Sequence, residues 1–341
     1  MKRSKAFFLF LSVLALGVWT NPSFAIQPIP RQDGFSGVIG AGVSYFNFES
    51  NEIAKVAATE VSEKRTGSLS DEPDSKSSAL PALTFDLRYT LGSSQTQFFL
   101  ANELFDLVKL DSFTELGVRQ QFFDRSILAV GVVFSGLVKV YQDPYLVGAD
   151  RSDTTRKATG VRVVYDKIMG SGLALEAMYR KIEIDDEKSG TQPILKLTPG
   201  QIALLDRNGK EISLGAQYAF AVGEGQVLTP SFTYIHSDLD GNAMKNTRYQ
   251  FEVAYIYDTK EYNVGLSLLF ATASYDQSNP VFNKEQEDTI YGGFAFGTYK
   301  NLFDVKGMDL VGKLGAEVKD ADIDFLNSQA TIAGLSLQYR F

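Results

Sequence analysis

The chain has 341 residues, a formal net charge of −8, 25 Phe, 16 Tyr, a single His and no Cys. Without cysteine there is no disulfide, Cys-ligated zinc, iron–sulfur cluster or thiol nucleophile, and one histidine leaves His-rich metal sites without ligands. The acidic balance, with no basic stripe, excludes nucleic acid as a natural partner.

The chain opens on "MKRSK", followed by the apolar run "AFFLFLSVLALGVW" and by "NPSFA", which sets Ser23 and Ala25 in a small-x-small arrangement. That is the layout of a secretory signal peptide cleaved after Ala25. The apolar run is too short for a helical span, which needs about 20 residues. Removing residues 1–25 takes away three positive charges and no acidic one, leaving −11 on a single mature domain, 26–341.

From Gly34 onward the dominant period is two, the strand period. "LTFDLRYTL" sets Leu83, Phe85, Leu87, Tyr89 and Leu91 against Thr84, Asp86, Arg88 and Thr90. "RYQFEVAYIY" and "EYNVGLSLLF" alternate in the same way. Fourteen such segments are expected, at roughly 34–48, 80–91, 96–104, 112–122, 127–140, 158–168, 172–184, 210–221, 226–236, 247–257, 262–275, 288–299, 308–319 and 329–341. Tight turns such as "GSSQ" (92–95), "GSG" (170–172) and "DTKE" (258–261) alternate with longer polar stretches, notably 49–79, 141–157 and 185–209. Short turns at one end and long loops at the other define an outer-membrane barrel. The fold class is therefore all-β: a transmembrane antiparallel β-barrel of about 14 strands, outer-membrane type. Soluble sandwiches have shorter strands, of about five or six residues.

The polar face of these strands carries Asp86, Glu115, Asp166, Glu176, Glu252 and Glu317, with Arg88, Arg119, Arg162, Arg180, Arg248, Lys313 and Arg340. Charges on nearly every strand suit a wet lumen and not a dry core, so these are the lumen-lining candidates. Gly40, Gly42, Ser44, Ser213, Gly215, Gly293 and Gly297 are expected to leave space there. Phe122, Tyr165, Phe220, Tyr257, Tyr262, Tyr339 and Phe341, near strand ends, would form an interfacial girdle. The lumen charges nearly cancel, so most of the net charge belongs to the loops. An acidic mouth favours cations or neutral solutes over anions. Loops 49–79 and 185–209 are long enough to fold inward and narrow the pore.

Enzyme templates find little support. His236 has Ser237, Asp238 and Asp240 near it, but nothing specifies a triad. Asp320, Asp322 and Asp324 begin like a calcium loop, yet Phe325 and Thr331 stand where Gly and a bidentate Glu belong. Asp238 and Asp240 form at most a weak acidic cluster. No catalytic residue, metal or cofactor is expected.

Three stretches, "DGFSG" (33–37), "DPYLVG" (143–148) and "YIHSDLDGNAM" (234–244), resemble an uncharacterised family of Gram-negative outer-membrane proteins, a domain of unknown function. The architecture is similar to monomeric fourteen-stranded porins and to fatty-acid transporters of the outer membrane. Only "IQPIPRQDG" precedes the first strand, too little for the plug domain of such transporters. The expectation is a passive, weakly selective diffusion channel for small solutes, seated among outer-membrane lipid and lipopolysaccharide. The alternatives are a non-conducting surface barrel acting through its loops, a hydrophobic-compound transporter, and a lipid-modifying enzyme.

The closing "LSLQYRF" sets Leu335, Leu337, Tyr339 and Phe341 on one face. It reads as the strand that seals the barrel, and as the signal taken up by the barrel-assembly machinery through strand addition. Deleting Phe341 is expected to deplete heat-modifiable barrel from outer-membrane fractions; normal levels there would contradict the signal role.

Overall fold

Side chains along each long strand alternate between exposed and buried, and this alternation runs around the molecule without a break. The computed structural model describes residues 27–106 and 110–341; the expected signal peptide lies outside them. Fourteen strands form the wall: β1 (Gly34–Ser50), β4 (Ser75–Leu91), β5 (Thr96–Asp106), β6 (Asp111–Gln121), β7 (Ile127–Ser135), β9 (Asp153–Asp166), β10 (Leu173–Ile184), β11 (Gly209–Tyr218, extended by β12, Phe220–Gly223), β13 (Gln226–Leu239), β14 (Asn246–Asp258), β15 (Tyr262–Tyr275), β16 (Glu287–Tyr299), β17 (Met308–Ala321) and β18 (Ser328–Arg340). Each pairs antiparallel with its neighbours. β18 pairs with β1 from Val38↔Arg340 to Ser50↔Ser328, so the sheet has no edge. Closure of this kind satisfies every wall backbone group internally, as a bilayer requires.

The outward face is apolar. Val43 is 59% exposed, Leu268 59%, Leu314 62% and Leu335 60%. A contiguous apolar belt around a whole molecule has hydrocarbon as its natural solvent. Phe122, Phe220, Tyr257, Tyr262, Tyr339 and Phe341 are exposed at the tight-turn end, as expected for a girdle. A second ring, including Tyr45, Tyr179, Tyr249 and Tyr291, is exposed toward the long-loop end.

The expected strand 127–140 divides. β7 stops at Ser135, and after Gly136 and Leu137 the chain forms β8 (Val138–Tyr141), which pairs with β2 (Ile53–Val56). β2 also pairs with β3 (Thr59–Glu60), and β8 with the start of β9. This small sheet packs inward: Ile53, Val56, Val61, Val138 and Val140 join the lumen-facing Phe46, Phe48, Leu80, Ile184 and Ile332 in one buried apolar cluster. Loop 49–79 thus folds into the barrel, as its length allows.

Above it lies a second apolar cluster, in which Tyr145, Leu205, Met244, Ile323, Phe325 and Leu326 are buried and Leu195, Leu197 and Phe282 pack around them. Loop 185–209 joins this cap, ordered by a short helix α1 (Pro199–Ala203) with a Thr198/Gln201 capping box. At the opposite mouth Ile29 is 3% exposed and its N–H donates to Gln121 Oε1 at 2.7 Å, so the few residues before β1 tuck against the wall.

Candidate functional site: the charged lumen and its plug

Because β-strand side chains alternate, fixing one lumen residue per strand fixes them all. All thirteen charges picked from the sequence share the inward parity: Asp86, Arg88, Glu115, Arg119, Arg162, Asp166, Glu176, Arg180, Arg248, Glu252, Lys313, Glu317 and Arg340. Leu335, Leu337, Tyr339 and Phe341 share the outward one. Of the small residues expected inside, Gly40, Gly42, Ser44, Ser213 and Gly215 are there. Gly293 and Gly297 are not. They lie against the outward Leu268 and Val264, while Phe294 and Phe296 take the lumen side. The stretch "YGGFAFGTY" alternates regularly, but its large residues Phe294 and Phe296 fill the lumen and its glycines face out, the reverse of the expected parity.

The structure gathers the charges into groups. In the first, Arg162 donates Nε and Nη2 to the two oxygens of Glu176 at 3.0 and 2.8 Å, and Nη1 to Glu115 at 3.0 Å and Glu103 at 3.3 Å. A planar fork facing a carboxylate is the favoured arginine geometry. Gly131 makes this possible, since a Cβ there would stand 2.2 Å from Glu115 Oε1. Arg119 lies over the Phe99 ring at 4.6 Å, and Arg88 pairs with Asp86 on the same stretch of wall.

The second group is nearer the long loops. Arg180 bridges Asp111 at 2.9 Å and Glu211 at 2.5 Å, with Arg156 at 3.4 Å from Asp111 and the Ser237 hydroxyl 3.2 Å from Glu211. Asp166, Arg248, Glu252, Lys313 and Glu317 line the wall outside these two groups. Arg340 pairs with Asp309 at the tight-turn rim, 3.4 Å away.

Sequence reading missed Glu103, Asp111, Arg156, Glu211 and Lys319. All five have lumen-facing positions. Glu211 was legible, being opposite in parity to Ile212. Asp111 and Arg156 lay just beyond the expected strand ends, which the structure extends toward the long loops.

Loop acidity is also less exposed than its composition implied. Glu52 meets Lys319 inside the barrel at 3.3 Å. Glu60 accepts from Lys64 at 2.6 Å and Lys76 at 3.2 Å. Those hydrogen bonds, Lys64 first, hold the Glu60 carboxyl below its ordinary value. Their contribution to the folded plug is therefore present above that ordinary value and is lost as pH falls through the depressed one. Arg151 anchors the plug further, donating to Asn51 O at 3.0 Å and Glu63 O at 2.7 Å while lying 3.9 Å from the Tyr141 ring centroid.

The motif residues act as pins. Asp33 accepts from Gly92 N–H at 2.6 Å, Asp143 from Tyr145 and Gly190 N–H at 3.0 Å, and Gly241 has Asp206 N 2.4 Å from where a Cβ would stand. His236 faces outward, its Nδ1 3.1 Å from Thr247 Oγ1. The Asp238 carboxylate is taken by Lys245 at 2.9 Å and Lys210 at 3.2 Å. Among the described residues no three His, Cys, Asp or Glu side chains are grouped to hold a metal.

Wall, belt and lumen define a fourteen-stranded transmembrane β-barrel of the outer-membrane type. The match to the family model described as "Protein of unknown function (DUF2860)" spans residues 34–340, and the chain belongs to that family. No curated protein sequence matches it. Among solved structures it is similar to the COG4313 outer membrane channel from Pseudomonas putida F1, at 11% identity and a TM-score of 0.41, covering 94% of this chain and 99% of that one. It is also similar to the outer membrane channel DcaP of Acinetobacter baumannii, at 10% identity and a TM-score of 0.44, covering 91% and 97%. A Pseudomonas aeruginosa FadL homologue stands at 11% identity and 0.44, covering 89% and 90%.

Replacing Arg162 by Leu strands three carboxylates against a low-dielectric wall. Breaking a buried pair costs about 3–5 kcal/mol. The urea midpoint of the refolded barrel should fall accordingly, and an unchanged midpoint would show that the cluster holds nothing together.

Proposed function

We propose that the protein is a gated diffusion channel of the outer membrane, admitting small polar solutes when the β2–β3–β8 insert leaves its seat. The observation that carries this reading is the wall itself. Inward charges run up the lumen from Arg340 and Asp309 at the tight-turn rim to Lys319, which meets Glu52 at the base of the insert. A barrel filled only for stability gains nothing from charges, because apolar residues of similar volume pack as well or better.

The insert is built from two short segments, β2–β3 and β8, and is tied to the first residue of β9 by its own lysines. Lys55 and Lys139 both reach Asp153, at 2.5 and 3.1 Å. Its motion costs far less than unfolding the wall, because loops sit at the low-stability end of a protein. The acidic balance of the chain favours neutral solutes and cations over anions. Lipopolysaccharide is the natural partner of the outward Lys157, Lys181 and Lys210 near the long-loop rim, and the assembly machinery that of β18. A non-conducting barrel that displays its loops is the competing reading, favoured by the depth of the apolar cluster around Phe48 and Val56.

Planar-bilayer recording separates the two. The refolded mature chain should show brief, infrequent openings, and a variant lacking residues 52–61 should show steady conductance with a reversal potential on the cation side. Silence from both proteins would establish the non-conducting barrel.

A further inference from the structure

Lys55 of β2 and Lys139 of β8 stand directly opposite one another in the pairing that holds the insert together. They alternate with Val56, Val138 and Val140, so they occupy the face turned away from the apolar cluster. Like charges in register across two strands repel and loosen the pair. Here one carboxylate, that of Asp153 at the start of β9, takes both ammonium groups, Lys55 at 2.5 Å and Lys139 at 3.1 Å. The three side chains are between 19% and 37% exposed, so solvent screens the attraction only in part. The neighbouring charges are engaged elsewhere. Glu60 faces Lys55 from β3 but is taken by Lys64 and Lys76. Lys64 also feels the charges of Asp153 and the exposed Asp150. On β9 itself Arg156 turns to Asp111 and Lys157 to Asp185.

Resting on the channel reading, we propose that Asp153 is a charge latch for the insert, closed by its two lysines at neutral pH and released by acid. Neutralising this one carboxyl removes two ion pairs and leaves Lys55 and Lys139 facing each other unshielded, so β2 loosens on β8 while β8 keeps its backbone pairing with β9. Asp153 lies beyond the outward Lys157, outside the apolar belt, where protons from the medium reach it. Burial alone would push its carboxyl up, but the hydrogen bonds and charges of Lys55 and Lys139 outweigh that and hold it below its ordinary value of 3.8. The latch is therefore complete above that ordinary value and is lost as pH falls through the depressed one.

The test is planar-bilayer recording of the refolded mature chain, with Asp153→Asn as the permanently released latch and heat-modifiability as the check on folding. An ion pair at this exposure shifts an equilibrium about fivefold at most, and two are lost together, so Asp153→Asn should open about fivefold more often than the parent at pH 7. The parent should hold steady down to pH 5 and open more often below pH 3.8, the ordinary aspartate value; Asp153→Asn should gain less there. Adding Lys139→Gln to Asp153→Asn removes the repulsion and should make openings rarer again. Ala330→Cys, beneath the insert, supplies a readout independent of conduction: its thiol should react about fivefold faster when Asp153→Asn is also present. A folded Asp153→Asn that matches the parent in openings and in thiol reactivity would overturn the latch. So would a double variant as open as Asp153→Asn alone, or a parent whose openings do not rise below pH 3.8. If the variant lacking residues 52–61 conducts while Asp153→Asn behaves as the parent, the latch fails alone. If nothing conducts but Ala330→Cys becomes reactive with Asp153→Asn, only the channel reading fails.

Discussion

The pairing of β1 with β18 is the constraint on which the rest depends. Hydrocarbon offers no partner to a free strand edge, and a single open edge would leave a row of backbone groups unsatisfied at several kcal/mol each. Thirteen residue pairs close that seam. Once it is closed, the two-residue period makes every other assignment automatic. Val43 and Leu335 must face lipid because Ser44 and Ser336 face the lumen, and a slip of one residue would invert the whole wall.

Inside, two different solutions to the cost of buried polarity coexist. Near the tight-turn half, charge is neutralised within the wall, by Arg162 with its three carboxylates and Arg119 over Phe99. In the long-loop half the lumen is occupied by an apolar insert that contributes Val56 and Val140 to the same cluster as Phe48 and Ile332. A cavity of about 120 Å3 lies where these regimes meet, bordered by Glu52 beside the insert, Lys319 of β17 and Glu211 of the second ion-pair group.

Strand count, the direction of every picked charge and the closing role of the last strand could be read from the sequence, because each depends only on the two-residue period and on turn length. The insert could not. Val138 and Val140 continue the alternation of β7 without interruption, and only Gly136 hints at a break. Whether such a segment stays in the wall or folds inward is decided by its pairing with Ile53–Val56, more than eighty residues away in sequence. Gly293 and Gly297 were misplaced because alternation does not say which face is lipid: Phe294 and Phe296 fill the lumen here and the glycines face out. The ion-pair groups join consecutive strands, as with Arg162 and Glu176, and also strands further apart, as with Arg180 and Asp111, whose meeting depends on register across the sheet.

Closure of the lumen by the insert is most directly tested by thiol accessibility, since the chain has no cysteine and any introduced one is unique. Ala330 faces inward beneath the insert and is 0% exposed. Placed there, a cysteine should react with a charged, water-soluble thiol reagent on the order of a hundredfold more slowly than one at the exposed Asp74, as expected for a site that opens only rarely. Removing residues 52–61 should erase the difference. Equal rates in the intact protein would mean that the lumen stands open, and would contradict the account.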